Sequence, residues 1–439
     1  MGKTYRPYLP EQELLLPPSL RDWLPESHLV YFVSDVVDQL DLSAIEKVYE
    51  KEWRGQPPYH PRLMVKLLLY GYCLGVRSSR KIAERLVEDV PFRVLAAGNQ
   101  PDFRTISDFR KIHLEALHQL FEQVLRLALE AGAMKLGRVA LDGTKMKANA
   151  SKHKAMSWGR MKQTEQQIAA EVQQMLTEAE RADAAEDARY GPEQTGQELP
   201  EELQRRQTRL EKIRQAQRAL KQRARDKAAA QDHSADDVRK AKPRDKDQYN
   251  FSDPESRIMK GGDGFLQAYN AQAAVEGVCQ LIVGQTVTQA ANDKQQLQPL
   301  LEAVEQQAGQ RPQQVLADSG YCSEQNLQSL ESAAAPENKI EAYIATKKDK
   351  HGERPPPAKR GPLRRGATRL ERMKRKLQTR AGAKVYAQRK GIVEPVFGQI
   401  KQGRGMRGFL LRGLEKVRGE WALICLTHNI LKMHTLCHG

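Results

Sequence analysis

Asp142, Asp318 and Glu394 are the residues of this 439-residue chain whose settings suit two-metal phosphoryl transfer. Asp142 stands in Gly137-Arg-Val-Ala-Leu-Asp-Gly-Thr-Lys145 and Asp318 in Gln314-Val-Leu-Ala-Asp-Ser-Gly320. Each ends a short apolar, β-branched run that reads as a buried strand, and small turn residues follow. Their carboxylates are therefore expected at strand ends. Glu394, in Gly391-Ile-Val-Glu-Pro-Val-Phe-Gly-Gln-Ile-Lys401, lies instead in a stretch with helical spacing, where Lys390, Glu394, Phe397 and Lys401 share roughly one stripe. Phosphodiester cleavage without a protein nucleophile needs an activated water or hydroxyl and a charge sink for the leaving oxygen. Two Mg²⁺ ions about 3.5–4 Å apart supply both, and Mn²⁺ can substitute. Mg²⁺ takes oxygen ligands and keeps several waters, so three carboxylates plus the substrate phosphate complete such a site. Singly, each acid has a plainer use: a strand-end Asp caps the turn after it, and a helix Glu pairs with neighbouring Lys or Arg.

Other acids compete for the role. Asp253 and Glu255 lie in Asn250-Phe-Ser-Asp-Pro-Glu-Ser-Arg257, Asp263 lies among glycines, and Asp293 after Asn292 reads as an acid at the start of a helix. His428 and His434 fall on the last helical segment without a nucleophile beside them, which favours core or surface roles.

The elements that must position these acids follow from periodicity. Residues 1–133 read as an all-α domain, with apolar residues at three-to-four spacing in Leu63–Leu74 and Ile112–Leu129. Ser78, Thr105 and Ser107 offer N-caps for short helices that resemble a helix-turn-helix, which would bring Arg104, Arg110 and Lys111 to DNA. A helical packing domain with a solvated basic face is the alternative. Strands are expected at Gly137–Lys147, Gly264–Val275, Gln280–Thr288, just before Asp318 and at Ile340–Ala345, with helices at Asn292–Gln307 and Glu324–Ser332 between them. The interval 151–250 is rich in Gln, Glu, Ala, Arg and Lys, and carries the stripes Ile168, Val172, Met175, Leu176 and Leu203, Leu210, Ile213, Leu220 around Gly191-Pro192. It reads as two long antiparallel helices, a hairpin, or else as a solvated charge-rich segment. Residues 134–150 and 251–439 then make an α/β catalytic core, a mixed sheet flanked by helices, with the insertion after its first strand. Within it, 347–369 reads as a mobile basic loop, and the apolar run Trp421–Leu431 as a helix covering the sheet.

The net charge of +16 and pI near 9.5 favour a polyanionic partner, with solubility the bland alternative. The excess is uneven: Ile344 to Gly413 holds 21 Lys or Arg against 4 Asp or Glu, and surrounds Glu394. Five scattered cysteines without a C-x-x-C pair argue against a disulfide framework or zinc site. There is no apolar signal core at the N-terminus and no run of about 18 apolar residues suited to a bilayer. A cytoplasmic, nucleoid-associated protein is expected.

At these residues the chain resembles bacterial insertion-sequence transposases of the DDE class, particularly the insertion-sequence eleven-eighty-two group. The stretches that carry the resemblance are Tyr59-His-Pro-Arg-Leu-Met-Val-Lys66, Pro101-Asp-Phe-Arg-Thr-Ile-Ser-Asp-Phe-Arg110, Leu141-Asp-Gly-Thr-Lys145, Asp253-Pro-Glu-Ser-Arg257, Ala317-Asp-Ser-Gly-Tyr321 and Val393-Glu-Pro-Val-Phe-Gly-Gln-Ile-Lys401. The resemblance implies an RNase H-like fold with Asp142 on the first strand, Asp318 on the fourth and Glu394 on a following helix. It implies hydrolysis at transposon ends, then attack of the freed 3′-hydroxyl on target DNA, by a homodimer or larger assembly on double-stranded DNA. A related signature sets Tyr, Arg, Glu and Lys along the catalytic helix. Lys401 fits it, Tyr386 and Arg389 stand one residue too far from Glu394, and Lys390 is the alternative for the arginine's place. Lys145, Arg404 and Arg407 complete the expected DNA contacts. The insertion follows the first strand, where many relatives are interrupted after the third. An RNase H-like nuclease or resolvase, and a DNA-binding protein with a dead site, are the competing readings.

Overall fold

The computed structural model describes residues 19–50, 57–190, 201–229, 234–262, 264–331, 340–347, 361 and 363–438. Most of the loop expected at 347–369 lies outside them. Seven helices come first: α1 Leu29–Asp38, α2 Ser43–Tyr49, α3 Pro61–Cys73, α4 Ser79–Glu88, α5 Val90–Ala96, α6 Phe103–Ile112 and α7 Leu114–Glu130. In α3 the His60 side chain accepts from Arg62 N and Pro61 opens the first turn, so the N-terminus is set before the apolar run begins. Nine of its thirteen residues are buried, making it the central rod of this helical layer.

The sheet follows, with β1 Arg138–Lys147 at its centre. The other strands are β2 Ala155–Ser157, β3 Gln248–Asn250, β4 Arg257–Gly261, β5 Gly264–Glu276, β6 Ile282–Thr288, β7 Gln314–Ala317 and β8 Glu341–Ile344. β5 runs antiparallel to β1, with Gly143 opposite Gln272 and Lys145 opposite Asn270. Both β6 and β4 pair with the far edge of β5, end to end. On its other side β1 runs parallel to β7, and β7 parallel to β8. β7 stops at Ala317, opposite Leu141, while β1 continues for six more residues. That mismatch leaves an open notch, with Asp142 on its floor and Asp318 at its edge. The β5–β6 pair matches the expected strands; β4, Arg-Ile-Met-Lys-Gly, is too short and polar to announce itself.

The insertion forms α8 Trp158–Tyr190 and α9 Glu201–Ala229, followed by α10 Ala235–Lys240, with β2 and β3 pairing at its base. Met161, Ile168 and Val172 meet Leu203, Leu210, Ile213 and Leu220 in a small core of their own. An apolar seam along otherwise charged helices is enough to hold a hairpin together.

The remaining helices are α11 Leu297–Ala308, α12 Glu324–Glu331, α13 Arg369–Gln378, α14 Arg380–Gly398 and α15 Leu414–His438. A Cβ at Gly382 would lie 2.0 Å from Lys376 O, so a glycine is required at the corner that launches α14, the helix of Glu394. α15 lies across the sheet: Trp421 Nε1 donates to Gln272 O at 3.0 Å, and the Asn429 amide pairs with both backbone groups of Ile282 at 2.8 Å. It also packs on α3 and α7, so the N-terminal helices and the sheet share one continuous apolar core.

One buried ion pair ties these layers together. Glu420, fully buried on α15, accepts from Arg77 at 2.8 Å and from the backbone N–H groups of Leu410 and Leu411 at 2.9 Å; Arg77 also donates to Gly408 O. Removing one member leaves an uncompensated buried charge and two orphaned amides. Glu420→Ala is expected to cost about 3–5 kcal/mol, measured by urea unfolding.

Candidate active site

Along β1, side chains alternate between the two sheet faces. Asp142 points toward α14, and Gly143 and Lys145 toward the other side. Asp318 ends β7 and turns its carboxylate onto the following backbone, accepting from Gly320 N at 2.8 Å, so it caps the turn and stands at the notch at once. Asp318 stands just past a strand end, as expected, whereas Asp142 lies midway along β1; because β7 stops at Ala317, opposite Leu141, the two acids are neighbours all the same.

Glu394 is joined to them indirectly. Arg389, on the same helix, donates to Asp142 at 3.3 Å and lies 3.7 Å from Glu394, bridging the two acids. Five residues of α-helix turn the chain by about 140° from its starting direction. Arg389 therefore joins Ile392, Val393 and Val396 on the buried face, while Glu394 stays at the rim with a side chain 55% exposed. Arg389 is buried beside Asp142 while Lys390 is exposed, and Tyr386 hydrogen-bonds to Arg389. Among the described residues, no three acidic, His or Cys groups stand close enough together to hold an ion as they are.

The electrostatics explain why. Burial pushes the Asp142 carboxyl up to about 6, against the pull of Arg389, and the negative charges of Asp318 and Asp293 add to the rise. Burial opposes the charge on Arg389, yet Asp142 holds its guanidinium above the ordinary value. These oxygen donors suit a hard divalent cation, and Arg389 is the cation that now neutralises Asp142 and Glu394.

Sequence reasoning missed Asp293. It lies in a bend before α11, which starts later than expected, at Leu297, so it is no helix-start acid. It accepts from Asn270 Nδ2 at 2.6 Å and Gln272 Nε2 at 2.7 Å, and lies 3.6 Å from Lys145. Tyr321 donates to Gln272 from the turn after Asp318. A Cβ at Gly143 would meet Gln272 Nε2 at 2.2 Å and Asp293 Oδ1 at 2.8 Å, so the glycine after Asp142 makes room for this network. The pairing of β5 with β1 sets Gln272 and Asn270 beside Gly143 and Lys145, the pairing of β5 with β6 brings the chain that carries Asp293 to them, and no local pattern announces that.

The expected DNA contacts divide. Lys401 donates to Thr144 Oγ1 and to Lys145 O, beside Asp142. Arg407 bonds Gln402 at the exposed rim. Arg104 stacks on Phe103 opposite Arg80, by a cavity of about 480 Å³ that Lys111 also lines. Two arginines are corrected to fold elements. Arg110 is buried, donating to Arg77 O and Tyr72 OH, and Arg404 is half-buried, its guanidinium donating to Thr427 Oγ1 and Ile424 O. An arginine's sequence neighbourhood does not reveal whether its fork faces water or carbonyls.

A family model described as a transposase DDE domain matches residues 227–430, and a second, described as a transposase domain (DUF772), matches residues 18–112. The first spans Asp318 and Glu394; Asp142 lies upstream of it, across the insertion. No curated protein and no solved structure matches. Among the described residues no helix is long and apolar enough to cross a membrane.

The raised Asp142 carboxyl carries a stability signature. A folded-state value near 6, above an unfolded value near 3.8, means the folded chain favours the protonated form. The resulting penalty is absent below pH 3.8, grows between pH 3.8 and 6, and is full above pH 6. Asp142→Asn is therefore expected to stabilise the metal-free protein by about 1–3 kcal/mol at pH 7.5 and to leave it unchanged at pH 3.5. Denaturant midpoints at the two pH values check this.

Proposed function

Since this chain belongs to the insertion-sequence DDE transposases, enzymes that cut DNA and transfer strands with divalent metal, we propose that Asp142, Asp318 and Glu394 are its three catalytic carboxylates. The observation that carries the assignment is the juxtaposition of Asp142, midway along β1, with Asp318, just past the end of β7, and the link from Asp142 to Glu394 through Arg389. The core is read as RNase H-like: three strands, β1, β5 and β6, pair antiparallel, then β7 and β8 join parallel to β1, which matches acids on the first and fourth principal strands.

The cations would be two Mg²⁺ ions, or Mn²⁺, held by these carboxylates, and bound there they lower the pKa of a water and neutralise the leaving oxygen. The chain's own groups do the rest. Asp142 must be ionised to act as a ligand, so its protonated share near pH 6 limits the enzyme on the acid side. Arg389 releases Asp142 and Glu394 and turns its planar fork to a substrate phosphate, which it can grip with two N–H bonds. Glu394, at the rim, is free to swing inward when Arg389 leaves. Lys401 and Lys145 hold the phosphate backbone beside the notch, and Lys390 and Arg407 extend that contact outward, positioning DNA without reading sequence. The same groups serve hydrolysis at the element's end and attack of the freed 3′-hydroxyl on target DNA. Two ends cut in concert call for a homodimer or larger assembly.

Labelled DNA carrying the element's own flanking ends tests this. With Mg²⁺, 3′-hydroxyl ends are expected to form and to become joined to a second duplex; withholding metal or introducing Asp318→Ala removes both products and spares DNA binding. Cutting without joining indicates a nuclease, and binding without cutting a dead site.

A further inference from the structure

Where β1 leaves the sheet, a groove of about 610 Å³ opens between the catalytic core and the base of the helical insertion. Lys147, Lys152, His153, Lys154, Phe265 and Arg412 line it, and among the described residues no carboxylate does. Its walls are fixed by backbone bonds. Phe409 N donates to Lys147 O at 2.8 Å, Ala148 N to Gln267 O at 2.9 Å and Phe251 N to Lys154 O at 3.1 Å. Arg412 is anchored through Nε to Asn149 O at 2.8 Å. Phe265, beside the turn that joins β4 to β5, is 66% exposed.

Four cationic side chains around a concave surface without an acid track a phosphate backbone. An uncovered aromatic ring in the same groove offers a stacking face, which is of use to a base that is not already stacked in a duplex. The groove also starts at the right place. β1 carries the chain five residues from Asp142 to Lys147, about 17 Å at roughly 3.3 Å per residue. That corresponds to about five nucleotides at roughly 3.4 Å each along one strand.

We propose that this groove binds an unpaired DNA strand leading away from the cutting site, with its phosphates on Lys147, Lys152, Lys154 and Arg412 and a base stacked on Phe265. The insertion's place after β1 then has a function. Lys152, His153 and Lys154 form the short turn that leads into β2 and α8, so the insertion supplies the outer wall. The location rests on the transposase reading; the test does not.

Fluorescence anisotropy with Ca²⁺ in place of Mg²⁺ measures binding of a 15-nucleotide single strand and of the blunt duplex of the same sequence. Phe265→Ala is expected to weaken single-strand binding by about 5- to 100-fold, with rescue by Phe265→Trp, and to leave the blunt duplex unaffected. Lys152→Glu with Lys154→Glu is expected to weaken single-strand binding at least about tenfold and to flatten its salt dependence by one to two contacts. All these positions are exposed, and unchanged thermal midpoints establish folding. Unchanged single-strand binding in both variants overturns the proposal, as does an equal loss on the blunt duplex. A protein that binds as expected but never cuts DNA faults the catalytic reading and leaves this one standing.

Discussion

The repulsion that Asp318, just past β7, and Asp293, before α11, exert on the buried Asp142 of β1 is the constraint on which the arrangement of this site depends. Burial pushes the Asp142 carboxyl up, and Asp318 and Asp293 are near enough to add to the rise. A folded protein without a bound cation must answer that repulsion with its own positive groups. Arg389 does so for Asp142 and Glu394, and Lys145 for Asp293. Both basic groups are of the kind that a DNA phosphate attracts. On the proposed assignment this would couple substrate and metal: phosphate would draw the basic side chains off the acids, and the exposed acids would need a cation. This is a physical reason for a nuclease-type site to assemble fully only on DNA.

The scaffold serves this cluster. The early end of β7 opens the notch, Gly143 admits the Asp293 network, and Gly382 permits the corner that sends α14 past Asp142. The pair of Arg77 with Glu420 joins the N-terminal helices to α15 and, through Gly408, to the segment after α14. The insertion stands apart energetically, with its own small apolar seam. It meets the core where the basic groove begins.

Much of this was legible in the sequence, for identifiable reasons. Asp142 and Asp318 end short apolar runs, a local property that a window of residues carries, although only Asp318 stands at a strand end. The two insertion helices were visible because Leu203, Leu210, Ile213 and Leu220 repeat at helical spacing. What was hidden depends on pairing between distant segments. Asp293 looked like a helix-start acid because its partners Asn270 and Gln272 lie on β5 and meet it only through the pairing of β5 with β6. Arg110 and Arg404 looked like DNA contacts because a basic neighbourhood says nothing about which fork turns inward. Arg389 looked misplaced by one residue, yet its long side chain spans the difference, which a motif spacing does not register.

The central claim is that Asp142, Asp318 and Glu394 together hold the catalytic cations on DNA. Fe²⁺ substituted for Mg²⁺ in the DNA complex, with ascorbate and peroxide added, generates radicals that cut the backbone within reach of the ion. The account predicts cuts clustered at residues 142, 318 and 394, suppressed by excess Mg²⁺ and lost in Asp142→Asn. Cuts at 142 and 318 without any near 394, or cuts indifferent to Asp142→Asn, would contradict it.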